Sequence, residues 1–352
     1  MSIRPIYGHR SLLNRLGGAL ASGRFPQAAL FVGPPGVGKQ RLALWAAQGL
    51  LCERGPAAPC GECRSCHQVA GLGHPDLHWL VPIPRPKATD PAKQIEEAGE
   101  LLGQAIEERR RDGLWQRPEG LVSHSLASVR LLHRRVWLTP FSGPRKVFIL
   151  GDAERLIVQE ASQEAANALL KVLEEPPADT TVILTAADPH QLLPTIRSRL
   201  VAVRVLRVAD EDVREFLRRE VQPSPEDDAL ERRTVLAEGC IGRALGDEEE
   251  TAGPDRAADE LLRTVRERRG QWPALALAQR PWSARGDFTG MLDALAVRLR
   301  RELRDAGGRP GDSVAQRMQA LQRVEATREA AQGNVNPQLA LSVLAAELEA
   351  LL

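Results

Sequence analysis

The stretch Gly33-Pro34-Pro35-Gly36-Val37-Gly38-Lys39-Gln40 constrains this chain more than any other, because its G-x-x-x-x-G-K spacing works only where a buried strand runs into a helix. The flanks fit that context. Ala28-Ala29-Leu30-Phe31-Val32 is an apolar run of strand length, and Arg41-Leu42-Ala43-Leu44-Trp45-Ala46-Ala47 consists largely of helix formers. Glycines let the backbone curl until successive N–H groups point at phosphate oxygens, and the helix N-terminus adds a favourable dipole. Gly33, Gly36 and Gly38 are therefore the candidate cradle, and Lys39 the cation that reaches terminal phosphates. Only five of the 47 basic residues are Lys, so composition does not explain a Lys at this place. One position departs from the motif: Gln40 stands where Ser or Thr would offer Mg2+ a hydroxyl.

Further strands are expected at Asp76 to Val81, Lys146 to Leu150, Thr181 to Ala186 and Val201 to Val205, the middle two being continuous apolar runs of the parallel-sheet type. Helical patterns separate them. One runs from about 91 to 112 with Ile95, Ala98, Leu102, Ala105 and Ile106 on one stripe, a second from Ser125 to Trp137, and a third from Ala161 to Glu174, stopped by Pro176-Pro177. Alternation of strand and helix with a phosphate loop on the first strand predicts a doubly wound α/β domain over 1–207, its ligand at the carboxyl ends of the strands. Three short helices follow, Asp210 to Arg219, one starting at Ser224-Pro225-Glu226 and one at Gly239, and make a lid over 208–250. The acidic Gly-Pro stretch 247–254 reads as a linker, and 251–352 as an all-helical domain broken at Gly307-Gly308 and Asn334-Val335-Asn336. Tyr7 reads as packing before the first helix, with stacking on a purine as the alternative, and the charge run Glu107 to Arg111 as a solvated helix end. The excursion over 83–122 has no functional reading.

Four of the five Cys are bunched at Cys52, Cys60, Cys63 and Cys66. Thiolates spaced this way can wrap one tetrahedral ion, with Gly61 permitting the tight turn between ligands. Four thiolates close the coordination shell, so a structural zinc is expected and catalysis at it is not; His67 is left outside the set. Charged residues make up 26% of the chain, and no apolar run approaches the ~20 residues of a membrane span, so no membrane association is expected. The chain opens without a basic-then-apolar leader, which leads to the expectation of a cytoplasmic protein. A formal net charge of +1 gives no global attraction to nucleic acid, although a local basic face would be hidden in that sum.

Taken together, the loop at 33–40, the four Cys, the string Leu169-Leu170-Lys171-Val172-Leu173-Glu174-Glu175-Pro176-Pro177 and Ile196-Arg197-Ser198-Arg199 resemble the AAA+ clamp-loader subunits of bacterial DNA polymerase III. The likeness spans residue 1 to about 250, and the helical remainder fits the family's collar domain in length and pattern. The Leu-Leu-Lys-x-Leu-Glu-Glu-Pro-Pro string is shared by the hydrolysing gamma/tau subunits and the delta-prime subunits, so the choice between them falls to active-site chemistry. In the ATPases a strand ends in Asp-Glu, the Asp serving Mg2+ and the Glu orienting the attacking water. Here Gly151 and Asp152 take those places, or, with a one-residue slip, Asp152 and Ala153, so either register loses a carboxylate. The lid Arg that senses the terminal phosphate falls by similarity at Gly242, with Arg243 one place off and turned about 100° away on a helix.

With Gln40 these departures imply a delta-prime-like subunit with no competent Mg2+ site and no ATPase or polymerase activity of its own. Arg199 is intact. The resemblance implies that it acts in trans as an arginine finger on the gamma-phosphate held by the next subunit, and that Leu200 in place of the usual Cys is tolerated. The implied role is a stator in DNA replication: a hetero-oligomer with gamma/tau ATPase subunits and the delta subunit, serving the sliding clamp and primed DNA indirectly. ATP or ADP binding at the loop stays open beside its role as an inherited framework. A working gamma-type ATPase and a zinc-clipped nucleic-acid module are the alternatives.

Overall fold

The structure, a computed structural model, describes residues 4–112, 122–156, 163–221, 227–245, 248–267, 270–278, 285–305, 312–332 and 335–352. It divides into two compact units, Met1–Leu245 and Gly246–Leu352.

In chain order, the first unit contains α1 (Arg10–Ala21), β1 (Ala28–Val32), α2 (Lys39–Leu50), α3 (Arg64–Ala70), β2 (Leu77–Leu80), β3 (Ile83–Pro84), α4 (Pro91–Asp112), β4 (Val122–Ser123) and α5 (Leu126–Val136). It continues through β5 (Lys146–Leu150), α6 (Gln163–Glu174), β6 (Thr180–Ala186), α7 (Pro194–Arg197), β7 (Val201–Arg204), α8 (Asp210–Glu220) and α9 (Asp227–Ala237). Five strands form one parallel sheet in the order β2-β5-β6-β1-β7. Each strand expected from an apolar run is present, and β3 pairs antiparallel with β4 outside that sheet.

Period-two alternation explains the two faces. Leu30, Phe148, Leu150, Val182 and Leu184 face a core shared with Ile95, Ala98 and Leu102 of α4, Leu132 of α5 and Leu169 of α6. Their neighbours Ala29, Phe31, Val147, Ile149 and Ile183 point the other way, onto Leu12, Leu16 and Leu20 of α1 and Leu42 of α2. Side chains cap the starts of α4 and α5. Asp90 accepts from Ala92 N and Lys93 N ahead of α4, and Ser125 accepts from Ser128 N ahead of α5.

Two buried charges hold the loop that leads into β5. Asp76 accepts from Phe141 N at 2.5 Å, Ser142 N at 2.8 Å and the Ser142 hydroxyl at 2.8 Å. Burial works against its charge, but these donors hold its carboxyl below the usual range. Lys146 donates to the carbonyls of Val136 and Leu138 and pairs with Asp179. The run Glu107 to Arg111 is a solvated end only in part: Glu108 and Arg111 are exposed, whereas Arg110 donates to Gly71 O and Leu72 O, and the Arg109 guanidinium lies 5.6 Å from the Trp79 ring centroid. Those contacts tie α4 to the segment after the cysteines.

α8, α9 and a 3-10 turn at Ile241–Leu245 close on their own small core of Val213, Phe216, Leu217, Leu230, Ala237 and Ala244. A 3-10 turn over Ile241–Leu245, not a third α-helix, follows the left-handed Gly239. Tyr7 packs there, edge-on to Phe216 at 5.4 Å, its hydroxyl donating to Glu220 at 2.6 Å. It thus serves packing.

The second unit contains α10 (Glu248–Glu267), α11 (Trp272–Ala278), α12 (Arg285–Asp305), α13 (Asp312–Gln332) and α14 (Pro337–Leu351) around a core that includes Leu261, Val265, Leu292, Leu295, Leu299, Val324, Leu344 and Leu348. Of the expected linker at 247–254, residues 248–254 are instead the opening of α10, with Pro254 inside the helix, and 247 lies outside the described residues. Glu-rich sequence favours helix there, and the buried stripe Ala258, Leu261, Leu262 and Val265 continues the same winding, outweighing the local Gly-Pro signal. Asn336 caps α14 by accepting from Gln338 N and Leu339 N. The helix starts read at Ala161 and at Ser224-Pro225-Glu226, the Gly307-Gly308 break and Asn334 lie outside the described residues. No helix among the described residues is long and apolar enough to cross a membrane.

Candidate functional site

The phosphate loop lies between β1 and α2, and the parallel sheet brings three strand ends to it. Gly33 N donates to Ala186 O at the end of β6, and the residues after β5 fold back to the same edge. Gly36 and Gly38 have φ of +77° and +100°, which L side chains rarely adopt. The predicted cradle residues Gly33, Gly36, Gly38 and Lys39 are thus together, but the loop is turned in on itself. Lys39 is buried, and its Nζ donates to Gly33 O at 2.7 Å and Pro34 O at 3.0 Å. Burial lowers its pKa, opposed by the nearby charges of Glu154 and Asp152. His9 contacts Val37 O at 2.9 Å from the other side.

Gln40 shows what its departure from the motif does. A Cβ placed on Gly151 would sit 2.8 Å from Gln40 Oε1, 2.9 Å from its Cδ and 3.0 Å from its Nε2, so the amide fills the space that any larger residue at 151 would occupy. The two departures fit each other. On the lid side, Gly242 N donates to Gly36 O at 2.8 Å, and a Cβ on Gly242 would sit 2.7 Å from Gly36 Cα. A side chain at 242 is excluded by the closeness of the two backbones. Arg243 donates to Glu238 at 3.0 Å, a partner within the lid.

The carboxylates differ from the sequence expectation. After β5, Asp152 takes a left-handed φ of +51° and its N–H donates to Thr185 Oγ1. This turn starts a 3-10 helix at Ala153–Leu156, which brings Glu154 back under the sheet edge, where Oε1 accepts from Ala187 N at 3.1 Å. Two carboxylates therefore stand near Lys39, where either register of the sequence reading gave one. Burial, with Asp152 beside it, pushes the Glu154 carboxyl up to about 7. Asp152 Oδ2, Glu154 Oε2 and Gln40 Oε1 are buried without a hydrogen-bond donor among the described residues. Behind them the buried His124 contacts Gly151 O through Nε2 at 2.7 Å, and burial lowers its pKa to about 4. Glu154 was missed because a D-x-E spacing signals nothing until the left-handed turn at Asp152 is known. These residues do not fit Mg2+ in the usual P-loop manner, since position 40 offers no hydroxyl and the strand end at 151 no carboxylate.

The four cysteines do meet. Their Sγ atoms all lie within 4.8 Å of one another, with Cys52–Cys60 at 3.6 Å, Cys52–Cys63 at 3.9 Å and Cys60–Cys66 at 3.8 Å. A tetrahedron with Zn–S of ≈ 2.3 Å has edges of about 3.8 Å, so the quartet has the size of a zinc site. Cys60 Sγ accepts from Cys63 N and Cys63 Sγ from Cys66 N, each at 3.4 Å. Backbone N–H groups of Glu62 and Cys63 lower the Cys60 thiol to about 6, while burial pushes Cys66 up. Cys52, Cys60, Cys63 and Cys66 would hold zinc as a clip between α2 and α3.

Arg199 stands apart from the loop. It follows α7, its side chain is 33% exposed, and it donates to Thr195 O at 2.8 Å and to Glu174 Oε1 at 2.6 Å. Leu200 packs against the core on the α6 side of the sheet.

A parallel five-stranded sheet with a glycine-rich phosphate loop after one strand and a helical cap at its carboxyl edge defines the P-loop α/β class. Residues 8–209 match the model of the family described as DNA polymerase III, delta subunit, and the chain belongs to that family. It is 35% identical over 194 residues to the DNA polymerase III subunit delta-prime of Pseudomonas aeruginosa, covering 54% of this chain and 46% of that one. Likeness to the delta-prime subunit of Bacillus subtilis is 31% over 176 residues, covering 50% and 41%, and to the tau subunit of Salmonella typhimurium 29% over 244 residues, covering 68% and 31%. The chain thus spans less than half the length of these curated relatives. Among solved structures, a gamma subunit-related protein of Thermotoga maritima is similar at a TM-score of 0.33 and 18% identity, covering 78% of this chain and 95% of that one.

Proposed function

We propose that this chain is a delta-prime-type clamp-loader subunit, a non-hydrolysing stator that donates Arg199 to the terminal phosphate held by a neighbouring gamma/tau ATPase. In this reading it works in the cytoplasm within a hetero-oligomer that also holds the delta subunit, and it serves the sliding clamp and primed DNA indirectly. The observation that carries the reading is the mutual fit of Gln40 and Gly151, which replaces the hydroxyl and carboxylate that would serve Mg2+ with an amide packed on a bare backbone. The lid's closeness at Gly242 and the exposure of Arg199 point the same way. The α/β domain of 1–207, the lid of 208–250 and a collar beyond are the parts this role requires. The cysteine quartet braces α2 and α3 and takes no part in chemistry.

Arginine fingers contribute roughly 10³ to 10⁵ in rate, so Arg199→Ala is expected to reduce finger-dependent ATP turnover of the reconstituted complex by about 10³ without preventing assembly. Undiminished turnover and clamp loading would remove the finger reading.

A second reading, a gamma-type ATPase, is favoured by the Asp152–Glu154 pair beside Lys39, whose outer oxygens have no donor among the described residues. Steady turnover of Mg-ATP by the purified chain alone separates the two: none is expected of a stator, and DNA-stimulated hydrolysis would establish the ATPase.

A further inference from the structure

Building on the finger reading of Arg199, we infer that Glu174 is its positioning residue, holding the guanidinium ready for an anion presented from outside the chain. Glu174 is the last residue of α6, where the negative end of the helix dipole disfavours a carboxylate. Its Oε1 accepts from Arg199 Nη2 at 2.6 Å, which brings a compensating cation to that helix end. From the other side, Thr195 O accepts from Arg199 Nη1 at 2.8 Å, with Ser198 Oγ at a longer 3.5 Å. The guanidinium is therefore fixed by a carboxylate on α6 and a carbonyl on α7.

A guanidinium carries five N–H donors in a planar fork. The contacts to Glu174 and Thr195 leave Nε–H and the remaining hydrogens of the fork for a second acceptor, and the side chain is one-third exposed. A long Arg otherwise loses rotamer freedom when it engages a phosphate, and prior orientation removes that loss. Glu174 itself is 48% exposed, so solvent screens its charge and it orients Arg199 without strongly cancelling its pull on an anion. The pair also joins two motifs that the sequence left separate, the Leu-Leu-Lys-x-Leu-Glu-Glu-Pro-Pro string and the Ser-Arg that follows α7.

The test is ATP turnover of the reconstituted clamp-loader complex carrying Glu174→Ala, Glu174→Gln, Arg199→Ala or Glu174→Ala with Arg199→Ala, assembly being verified for each. Because exposed ion pairs contribute little, Glu174→Ala is expected to lower kcat about two- to five-fold with KM unchanged. Glu174→Gln keeps an accepting oxygen and is expected to restore most of that loss, while Glu174→Ala adds nothing once Arg199 is removed. Faster turnover in both Glu174 variants would mean that the carboxylate restrains the finger, and would overturn the inference. So would unchanged turnover in Glu174→Ala alongside a collapse in Arg199→Ala. Undiminished turnover in Arg199→Ala would instead remove the finger reading itself, and the positioning role with it.

Discussion

The phosphate loop and the Arg199 segment are both built from motif residues, yet one is turned inward and the other outward. At the loop, Lys39 is spent on its own carbonyls, Gln40 fills the space beside Gly151, and Gly242 closes on Gly36. At the second region, the guanidinium is held from behind and faces solvent. The difference teaches that an intact fingerprint does not locate chemistry; the side chains around it do. Under the proposed function, a lysine bonded to its own loop's carbonyls belongs to the framework, and a cation left partly open is the one offered to a neighbour.

The largest effect on stability is expected at the cysteine quartet, which tests whether the inward region depends on its clip. Cys60→Ser with Cys63→Ser, or chelation, is expected to cost about 4 kcal/mol and to release hydrogen-exchange protection in α3 before the sheet. Uniform protection with and without metal would contradict that. Next comes the fit at the loop itself. Gly151→Asp must displace the buried Gln40 amide and is expected to destabilise by about 1–2 kcal/mol, with Gln40→Thr restoring most of it in the double variant. Additive urea midpoints would mean that the two positions do not share one space.

The smallest effect is electrostatic. The carboxyl of Glu154 titrates near 7 in the fold and near 4.5 in the unfolded chain, so the folded state holds the proton more tightly. Its favourable contribution is full below 4.5 and lost as pH rises through 7. Glu154→Gln, which keeps an oxygen for Ala187 N, is expected to stabilise by about 1–2 kcal/mol at pH 8 and by nothing at pH 4.5. A gain of the same size at both pH values would place the cause outside this carboxyl.

The parts of the fold that follow from short-range pattern were legible in the sequence. Apolar runs such as Lys146 to Leu150 mark central strands because both faces of a parallel sheet are buried, and the stripe of Ile95, Ala98 and Leu102 marks α4 because it meets the sheet once per turn. The cysteine quartet was legible for the same reason, since spacing alone brings its thiols together. What escaped was long-range or conformational. Nothing local pairs Gln40 with Gly151 or Glu174 with Arg199, and Glu154 enters the site only through the left-handed turn at Asp152. The opening of α10 was misread because Gly253-Pro254 is a strong local breaker signal, while the burial that sustains the helix begins only at Ala258.

The contrast between the two regions is tested most directly by ATP turnover in the assembled complex when this chain carries Lys39→Ala or Arg199→Ala. The account predicts that removing Lys39 leaves turnover unchanged and removing Arg199 reduces it by about 10³. The reverse order, collapse without Lys39 and normal turnover without Arg199, would put the chemistry back in the loop and contradict it.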